Sequence, residues 1–411
     1  MRPLSDPVPL RDTSVWPGYD QIAIIPRVYG RAHIKPLRYN ESGTIAALAD
    51  HRLAGVDQVT VDGVPVNGWA LRNGSDWTGH AVAFLDLAEA PDTTAELAAD
   101  VRGLDGNPAA IINDLYPRSD LLDFLVFCRN TGLVLGGVLD QRMTIRAALQ
   151  FVLEQVGCAW SAGMPGFAAS FPPSENGPRW ATITGLSVAG WSVEADLDSV
   201  ITRLTVPFNW DYAAGKARQS VVLESVSATR DHGQREGDLA LPWVLTARQA
   251  VATATAYLQW RARPLWTARF STDLRYRSLP PGGLIEVSHP RWPRSGTFVV
   301  TDIDPGYGSG EVTMVAQYPA GTAPDVSLVQ QSSMFGPIQT SYTIQRAGDM
   351  VIVTITDREG NPLPGAKVWV DGKGPIIANA AAQIQFRATP GRHVLHIEAS
   401  GTAAIDTEIT L

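Results

Sequence analysis

The sequence predicts a mainly β, multidomain chain of barrel and sandwich domains with one small α-helical insertion. Apolar residues alternate with polar neighbours in short runs from Tyr19 to Val101 and again after Pro165. The period turns helical only between Asn107 and Gly157 and between Thr246 and Trp260. The 29 prolines and 37 glycines recur between the alternating runs and keep each one short. At about 150 residues per domain, 411 residues should fold into two to four cores.

In the first segment, Ile22, Ile24 and Ile25 up to Pro26 read as a short strand. Val59 and Val61 alternate with polar neighbours, Asp62-Gly63 follows, and Val64 and Val66 resume the alternation. Asp-Gly supplies the two positive φ angles of a type I′ turn, so this is a two-residue hairpin. With the alternation at Val82, Phe84, Leu85 and Leu87, the segment predicts a small antiparallel barrel or sandwich.

Asn107-Pro108 gives a cap and a first-turn proline to a helix carrying Ile111, Ile112 and Leu115, which Pro117 stops. Ser119 can cap a second helix with Leu121, Leu122, Leu125 and Val126, ending near Asn130 and Gly132. Thr144 caps a third that runs to Gly157. Beyond Pro165 short strands are expected at Thr182 to Val188 and Val200 to Val206. Then comes a helix over Thr246 to Trp260, feeding strands at Trp266 to Tyr276, Leu284 to Val287, Thr297 to Ile303 and Glu311 to Gln317. The stretch from Pro319 to Thr340 is rich in Pro, Gly, Ser and Thr and reads as a linker. After it, Met350 to Thr356, Ala366 to Val370, Ala382 to Phe386, His393 to Ala399 and Asp406 to Leu411 alternate as a small β-sandwich. The expected domains are therefore 1–104 (β), 105–164 (helical), 165–244 (β), 245–318 (helix plus β-barrel), a linker over 319–340, and 341–411 (sandwich).

With 45% hydrophobic and 18% charged residues, the chain should fold rather than remain disordered. No apolar window of about 18 residues occurs, so no membrane insertion is expected. Met-Arg-Pro-Leu-Ser-Asp-Pro lacks the apolar run of a signal peptide, which predicts a product made in the cytoplasm. A net charge of −8 argues against a surface that grips nucleic acid by neutralising phosphates. Positive charge rests on Arg apart from Lys35, Lys216, Lys367 and Lys373, which suits planar interface contacts, and a GC-rich genome gives the same bias. Cys128 and Cys158 lie in helix-like apolar stretches and read as two buried thiols rather than a disulfide or zinc pair.

The candidate chemical constellations resolve to structural readings. His393 and His396 are three apart in a strand, where they point to opposite faces and cannot share a metal. The acidic residues Glu194, Asp196 and Asp198 fail the calcium-loop pattern, because Ile201 and Pro207 stand where Gly and Glu are required. Asp302-Ile303-Asp304-Pro305-Gly306 between alternating strands is a hairpin loop before it is an ion site. G-x-S-x-G, phosphate-loop and H-E-x-x-H motifs do not occur. No catalytic, cofactor-binding or metal residue is assigned, and no enzymatic activity is expected. Among the twelve tryptophans, Trp69, Trp77, Trp180, Trp191, Trp210, Trp266 and Trp369 read as core or interface anchors, with sugar stacking as the alternative.

The order of pieces resembles the central hub proteins at the tail tip of long-tailed bacteriophages. The pieces are Ile24 through Tyr29-Gly30-Arg31, then Leu53-Ala54-Gly55-Val56-Asp57 and Val59-Thr60-Val61-Asp62-Gly63. Asn107-Pro108-Ala109-Ala110-Ile111-Ile112-Asn113-Asp114-Leu115 is similar to the family's N-P-A-x-I-I-x-D-L helix start. Leu279-Pro280-Pro281-Gly282-Gly283-Leu284-Ile285-Glu286-Val287 resembles the turn of its late β-barrel, with Gly283 where an acid often stands. Separately, Asp357-Arg358-Glu359-Gly360-Asn361-Pro362 through Val368, with Thr389-Pro390-Gly391-Arg392-His393, looks like carboxypeptidase-regulatory-like or Ig-like modules.

The resemblance implies a non-enzymatic virion protein in a ring, most simply a trimer, that continues the tail tube. DNA would pass through it without specific binding. Its implied partners are distal tail or tube proteins, the tape measure protein, and tail fibre or spike proteins. A carbohydrate-binding adhesin and a cell-wall hydrolase are the alternatives. The first needs an exposed Trp platform and the second a pair of carboxylates with separated pKa values.

Overall fold

The computed structural model describes residues 4–15, 23–76, 78–92, 94–117, 122–158, 179–184, 188–279, 283–288, 296–304, 311–319, 323–333, 340–347, 350–357, 362–363, 365–379, 381–387, 391–398 and 405–410. Among these residues strands dominate, with five α-helices: α1 Pro108–Leu115, α2 Leu122–Thr131, α3 Ile145–Gln155, α4 Val226–His232 and α5 Ala247–Arg261.

Local sequence sets most helix ends. The Asn107 side chain accepts from the Ala109 N–H, and Pro108 takes a first-turn position where no N–H is missed. Thr144 accepts from Ala147 N and Thr246 from Gln249 N, each satisfying one orphan donor of α3 and α5. The expected cap Ser119 lies outside the described residues. In α4, which the hydrophobic pattern does not mark, Ser225 caps Ala228 N and Ala228 is the buried residue.

An eight-stranded sheet forms the centre. Its order is Ser327–Ser333, Lys216–Glu224, Arg203–Asp211, Arg31–Ile34, Leu97–Arg102, Gly55–Val61 and Val64–Pro65, with Glu236–Asp238 also beside Arg203–Asp211. Asp62 (φ 52°) and Gly63 (φ 76°) turn the predicted hairpin, with Val61 opposite Val64. A four-stranded sheet, Leu37–Arg38, Ile45–Ala49, Ala81–Leu87 and Trp69–Ser75, stacks on the N-terminal strands of the larger one through Val28, Ile34, Leu48, Val59, Leu85 and Val101. Of the strand expected at Ile22 to Pro26, Ile22 lies outside the described residues and Ile24 makes a single bridge with Asp12, and strand pairing begins at Arg27. Likewise the run expected at Val200 to Val206 is a strand over Arg203–Asp211.

The helices share one core with the central hairpin. Ile111, Ile112, Leu149, Val152 and Leu153 pack with Leu204, Val206, Phe208, Val221 and Leu223, and α5 adds Ala250, Ala254 and Leu258. Helices of eight to fifteen residues, about two to four turns, gain their stability from such tertiary packing rather than from helix propensity. Within the stretch read as a linker, Ser327–Ser333 pairs antiparallel with Lys216–Glu224. Its Ser-Gln-rich composition hides a strand whose hydrogen bonds, not apolar residues, hold it.

A six-stranded sheet follows the order Arg179–Thr184, Leu284–Ser288, Gly296–Asp304, Glu311–Pro319, Leu265–Asp273 and Val188–Asp196. Its two outer members are separated in sequence by 185–187 alone. Four peptide steps reach at most about 14 Å, whereas five strand spacings laid flat span about 24 Å, so the sheet must curl. The pairings make both outer strands run in the same direction, so the curled sheet is a barrel with these two strands at its seam. Phe270, Ile285, Phe298, Val300 and Met314 fill its interior, and Trp191 lies against Phe270 at 5.4 Å between ring centroids.

The C-terminal sandwich has a three-stranded sheet, Thr340–Ala347, Met350–Asp357 and Gln383–Arg387, and a four-stranded one, Lys373–Ile377, Lys367–Val370, Arg392–Glu398 and Ile405–Thr410. Its core, from Val351 to Ile409, is built from its own residues.

Candidate assembly interface

Two polar junctions hold the N-terminal strands to the rest of the chain. At the first, Arg27 reaches Asp50 through both Nε (3.3 Å) and a terminal nitrogen (3.0 Å). Its other terminal nitrogen lies 3.6 Å from Asp114, and the buried Tyr29 hydroxyl donates to the same carboxylate at 2.6 Å. Burial first, then the Asp114 charge, drive the Tyr29 hydroxyl well above its ordinary range. Burial opposes the charge on Arg27, but the Asp50 carboxylate more than restores it. Asp114 is the acid of the helix motif singled out in the sequence, and Arg27 and Tyr29 lie just ahead of the Gly30-Arg31 turn. The structure therefore brings two sequence-distant motifs together, which the spacing alone did not reveal.

At the second junction, His33 Nδ1 lies 2.8 Å from Asp100 and Nε2 3.9 Å from Asp211. Arg218 Nε donates to Asp211 at 3.3 Å, and a terminal nitrogen stands 3.8 Å from Asp100. Burial raises the Asp100 carboxyl, but the His33 hydrogen bond and the His33 and Arg218 charges hold it below the usual carboxylate range. His33 and Arg218 thus share the same two carboxylates, so the polar groups of this junction are paired with one another.

The residues weighed for chemistry sit apart. Asp196 accepts from the N–H groups of Asp198 and Ser199, a local turn at a strand end, and Glu194 lies 3.6 Å from Arg269. Asp302 accepts from Ile303 N within its own strand, and the loop 305–310 lies outside the described residues. His393 pairs with Asp371 at 2.7 Å and His396 with Glu398 at 3.1 Å, on opposite sides of one strand. Cys128 and Cys158 are buried free thiols, pushed up by burial to about 11 and about 12. Among the described residues no group of three potential ligands could hold a metal ion. Trp69 and Trp191 pack against cores, Trp180 is 52% exposed on the barrel, and Trp77 lies outside the described residues.

Open strand edges are the larger feature. Ser327–Ser333 is the outermost strand of the central sheet, carries no charge and no proline, and exposes Leu328 and Val329. At the other end, Val64–Pro65 covers Thr60 and Val61 and leaves Gly55–Gln58 at the edge. Proteins that stay single usually guard such edges with charge, proline or a bulge; here the register shifts at Val329 and at Asp57, and Asp57 is the one charge on the two edges. Sequence reasoning missed this edge because it read the segment as a linker.

A family model described as "Putative phage tail protein" matches residues 211–303, from the end of the central hairpin's first strand into the barrel. Among solved structures, the virion of a native gene transfer agent particle contains a chain that is 17% identical, with a TM-score of 0.45, over 73% of this chain and 87% of that one. A tail protein from Neisseria meningitidis is 13% identical with a TM-score of 0.32 over 73% of this chain and 97% of that one. A prophage tail protein from Shewanella oneidensis is 11% identical with a TM-score of 0.29, over 72% and 98%. No curated protein sequence matches significantly. The middle of the chain thus carries a phage-tail signature, and the similar structures are tail or particle proteins. No helix among the described residues is long and apolar enough to cross a membrane.

Proposed function

We propose that this chain is a non-enzymatic structural hub at the tip of a phage tail, assembled as a ring, most simply a trimer, that continues the tail tube. The observation that carries the reading is the pair of open outer edges on the central sheet: Ser327–Ser333, which bears no charge or proline, and Gly55–Gln58, which bears Asp57 as its one charge. The edge of one protomer extended by the opposite edge of the next is a head-to-tail contact, and such contacts generate closed rings when the rotation closes. The tail signature at residues 211–303 supports the same setting. In this reading the protein resides in the virion after synthesis in the host cytoplasm. It meets tube or distal tail proteins, the tape measure protein, and fibres or spikes. DNA passes through without specific binding, in keeping with a net charge of −8. In this reading 341–411 is an accessory module on the ring, and Ser327–Ser333 belongs to the hub's central sheet rather than to a linker.

Electron microscopy of the particle that carries the protein tests this. A closed ring of this chain at the tail tip is the expected result. A lone copy outside any ring overturns it.

A further inference from the structure

We propose that the outward face of the four-stranded sheet in the C-terminal sandwich is a binding site for a neutral pyranose glycan, with Trp369 as its stacking platform. The proposal concerns the sandwich itself and stands whether or not the chain forms a hub.

The face is set by strand alternation. Val368, Leu395 and Ile397 are fully buried in the sandwich core, so their neighbours Lys367, Trp369, Val394, His396 and Glu398 point the other way. The register arranges them in rows: Lys367 lies between Ile377 and Glu398, and Trp369 lies beside His396. The Trp369 and His396 rings stand 5.2 Å apart at 60°, and His396 Nε2 is 3.1 Å from the Glu398 carboxylate. On either side of this pair Ile377 and Val394 are 66% and 46% exposed. Trp369, half-buried, lies on one diagonal with these two aliphatic residues; Lys367 stands two positions along the same strand, and His396 and Glu398 on the next strand complete a hydrogen-bonding fringe.

A pyranose ring needs that arrangement, because its C–H face is apolar and its hydroxyls project around the rim. An indole offers a flat apolar body for the first, and a few placed polar groups meet the second. Lys367 stands beside Glu398 in register, so that row carries both signs and favours a neutral ligand over an anion. The area argues against a folded protein as the occupant. Twenty-two strand residues, each about 4.8 Å by 3.3 Å, cover about 350 Å², less than half of the ~800 Å² that each side of a stable protein interface buries.

The test is binding of the full chain to immobilised chitohexaose, cellohexaose and maltohexaose, read by surface retention and by tryptophan fluorescence. Retention on at least one of the three is expected, with Trp369→Ala weakening it about tenfold and Trp369→Phe keeping part of it. Glu398→Gln and Lys367→Ala, at exposed positions that do not threaten folding, should each weaken binding severalfold. Trp180→Ala, on the barrel, should leave it unchanged. Absence of binding to all three glycans overturns the proposal. So does loss of binding in Trp180→Ala, or full binding by Glu398→Gln and Lys367→Ala whatever the folding of the Trp369 variants.

Discussion

His33 and Asp211 face each other at the one parallel register pair joining the N-terminal strands to the central hairpin, and Tyr212 N donates to the His33 carbonyl at 2.9 Å. Two halves of the eight-stranded sheet, more than a hundred residues apart in sequence, therefore meet through little backbone pairing. Side chains supply the rest: His33 lies between Asp100 and Asp211, and Arg218 bridges the same two carboxylates.

Asp100→Asn should therefore cost about 1 kcal/mol, since one charged hydrogen bond is lost at a half-buried site. The sign with pH follows from a folded-state carboxyl held below its ordinary value. Its stabilisation is complete above the unfolded value, near 4, and is lost as pH falls through the lower folded one. Thermal unfolding from pH 7 to pH 3 should show the native chain losing more stability than Asp100→Asn below about pH 4. Parallel curves would mean the junction is not electrostatic.

His51 behaves in the opposite sense to a paired histidine. Its Nε2 donates to the Val28 carbonyl at 2.9 Å, while Nδ1 is buried without a hydrogen-bond partner. Burial, aided by the Arg27 charge and opposed by Asp50, holds its pKa below 6.5. The unfolded chain then binds the proton more readily, so stability falls as pH drops below about 6.5. His51→Gln, which can keep the bond to Val28, should flatten the loss of melting temperature between pH 7 and pH 5. An unchanged slope in this variant would show that another group titrates there.

Gly137 has no room for a side chain, because a Cβ placed on it would lie 2.3 Å from the Trp243 ring. Trp243 is itself buried and touches Tyr29 and Phe151. Gly137→Ala must move this ring or the backbone and should cost about 2 kcal/mol by denaturant unfolding. Gly63→Ala, where the space is open but φ is +76°, should cost only about 1 kcal/mol.

These residues also mark how far the sequence could be read. The caps at Asn107, Thr144 and Thr246 and the Asp62-Gly63 turn were legible because each is decided within four residues. The mainly β class followed from alternation, and the barrel strands at Leu284–Ser288, Gly296–Asp304 and Glu311–Pro319 were placed to within two residues, whereas the run expected at Thr182 to Val188 falls across two strands. What escaped depends on distant partners. Gly137 gives no local hint that Trp243 will lie on it, and Asp114 gives none that Tyr29 will donate to it. Ser327–Ser333 lacks the apolar alternation of a half-buried strand, because its partner is a single neighbouring edge and much of it faces solvent. The aromatic face at Trp369 was half legible, since the tryptophan and the H-x-x-H pair were both noted but their shared row needed the register.

Leu328 and Val329 offer a direct test of edge pairing. Both are exposed in the single chain, at 43% and 48%, so replacing each by Lys should change its stability by less than about 0.5 kcal/mol. A charged edge resists a further strand. The double variant Leu328→Lys, Val329→Lys should fold normally yet fail to enter particles in a complementation assay scored by tail assembly. Normal assembly would exclude this edge as the ring contact.

The final prediction concerns where the chain can be cut. The composition of 319–340 suggested that everything before Tyr318 would stand alone, but Ser327–Ser333 belongs to the central sheet. Removing it strips the outer partner from Lys216–Glu224, including the pairing at Val221 and Leu223, whose side chains help form the main core. A chain ending at residue 318 should therefore expose an unguarded central strand, melt several degrees lower and aggregate. A chain ending at residue 336 keeps the pairing and should retain the native melting temperature of the remaining domains. The complementary piece, 340–411, carries a core made wholly of its own residues, among them Val353, Ile355, Val368, Leu395 and Ile397, and should fold by itself as a monomer. Circular dichroism and denaturant unfolding of the three pieces decide the matter. If the piece ending at 318 proved as stable as the one ending at 336, the strand would contribute no stability. If 340–411 did not unfold cooperatively, the sandwich would depend on contacts with the rest of the chain.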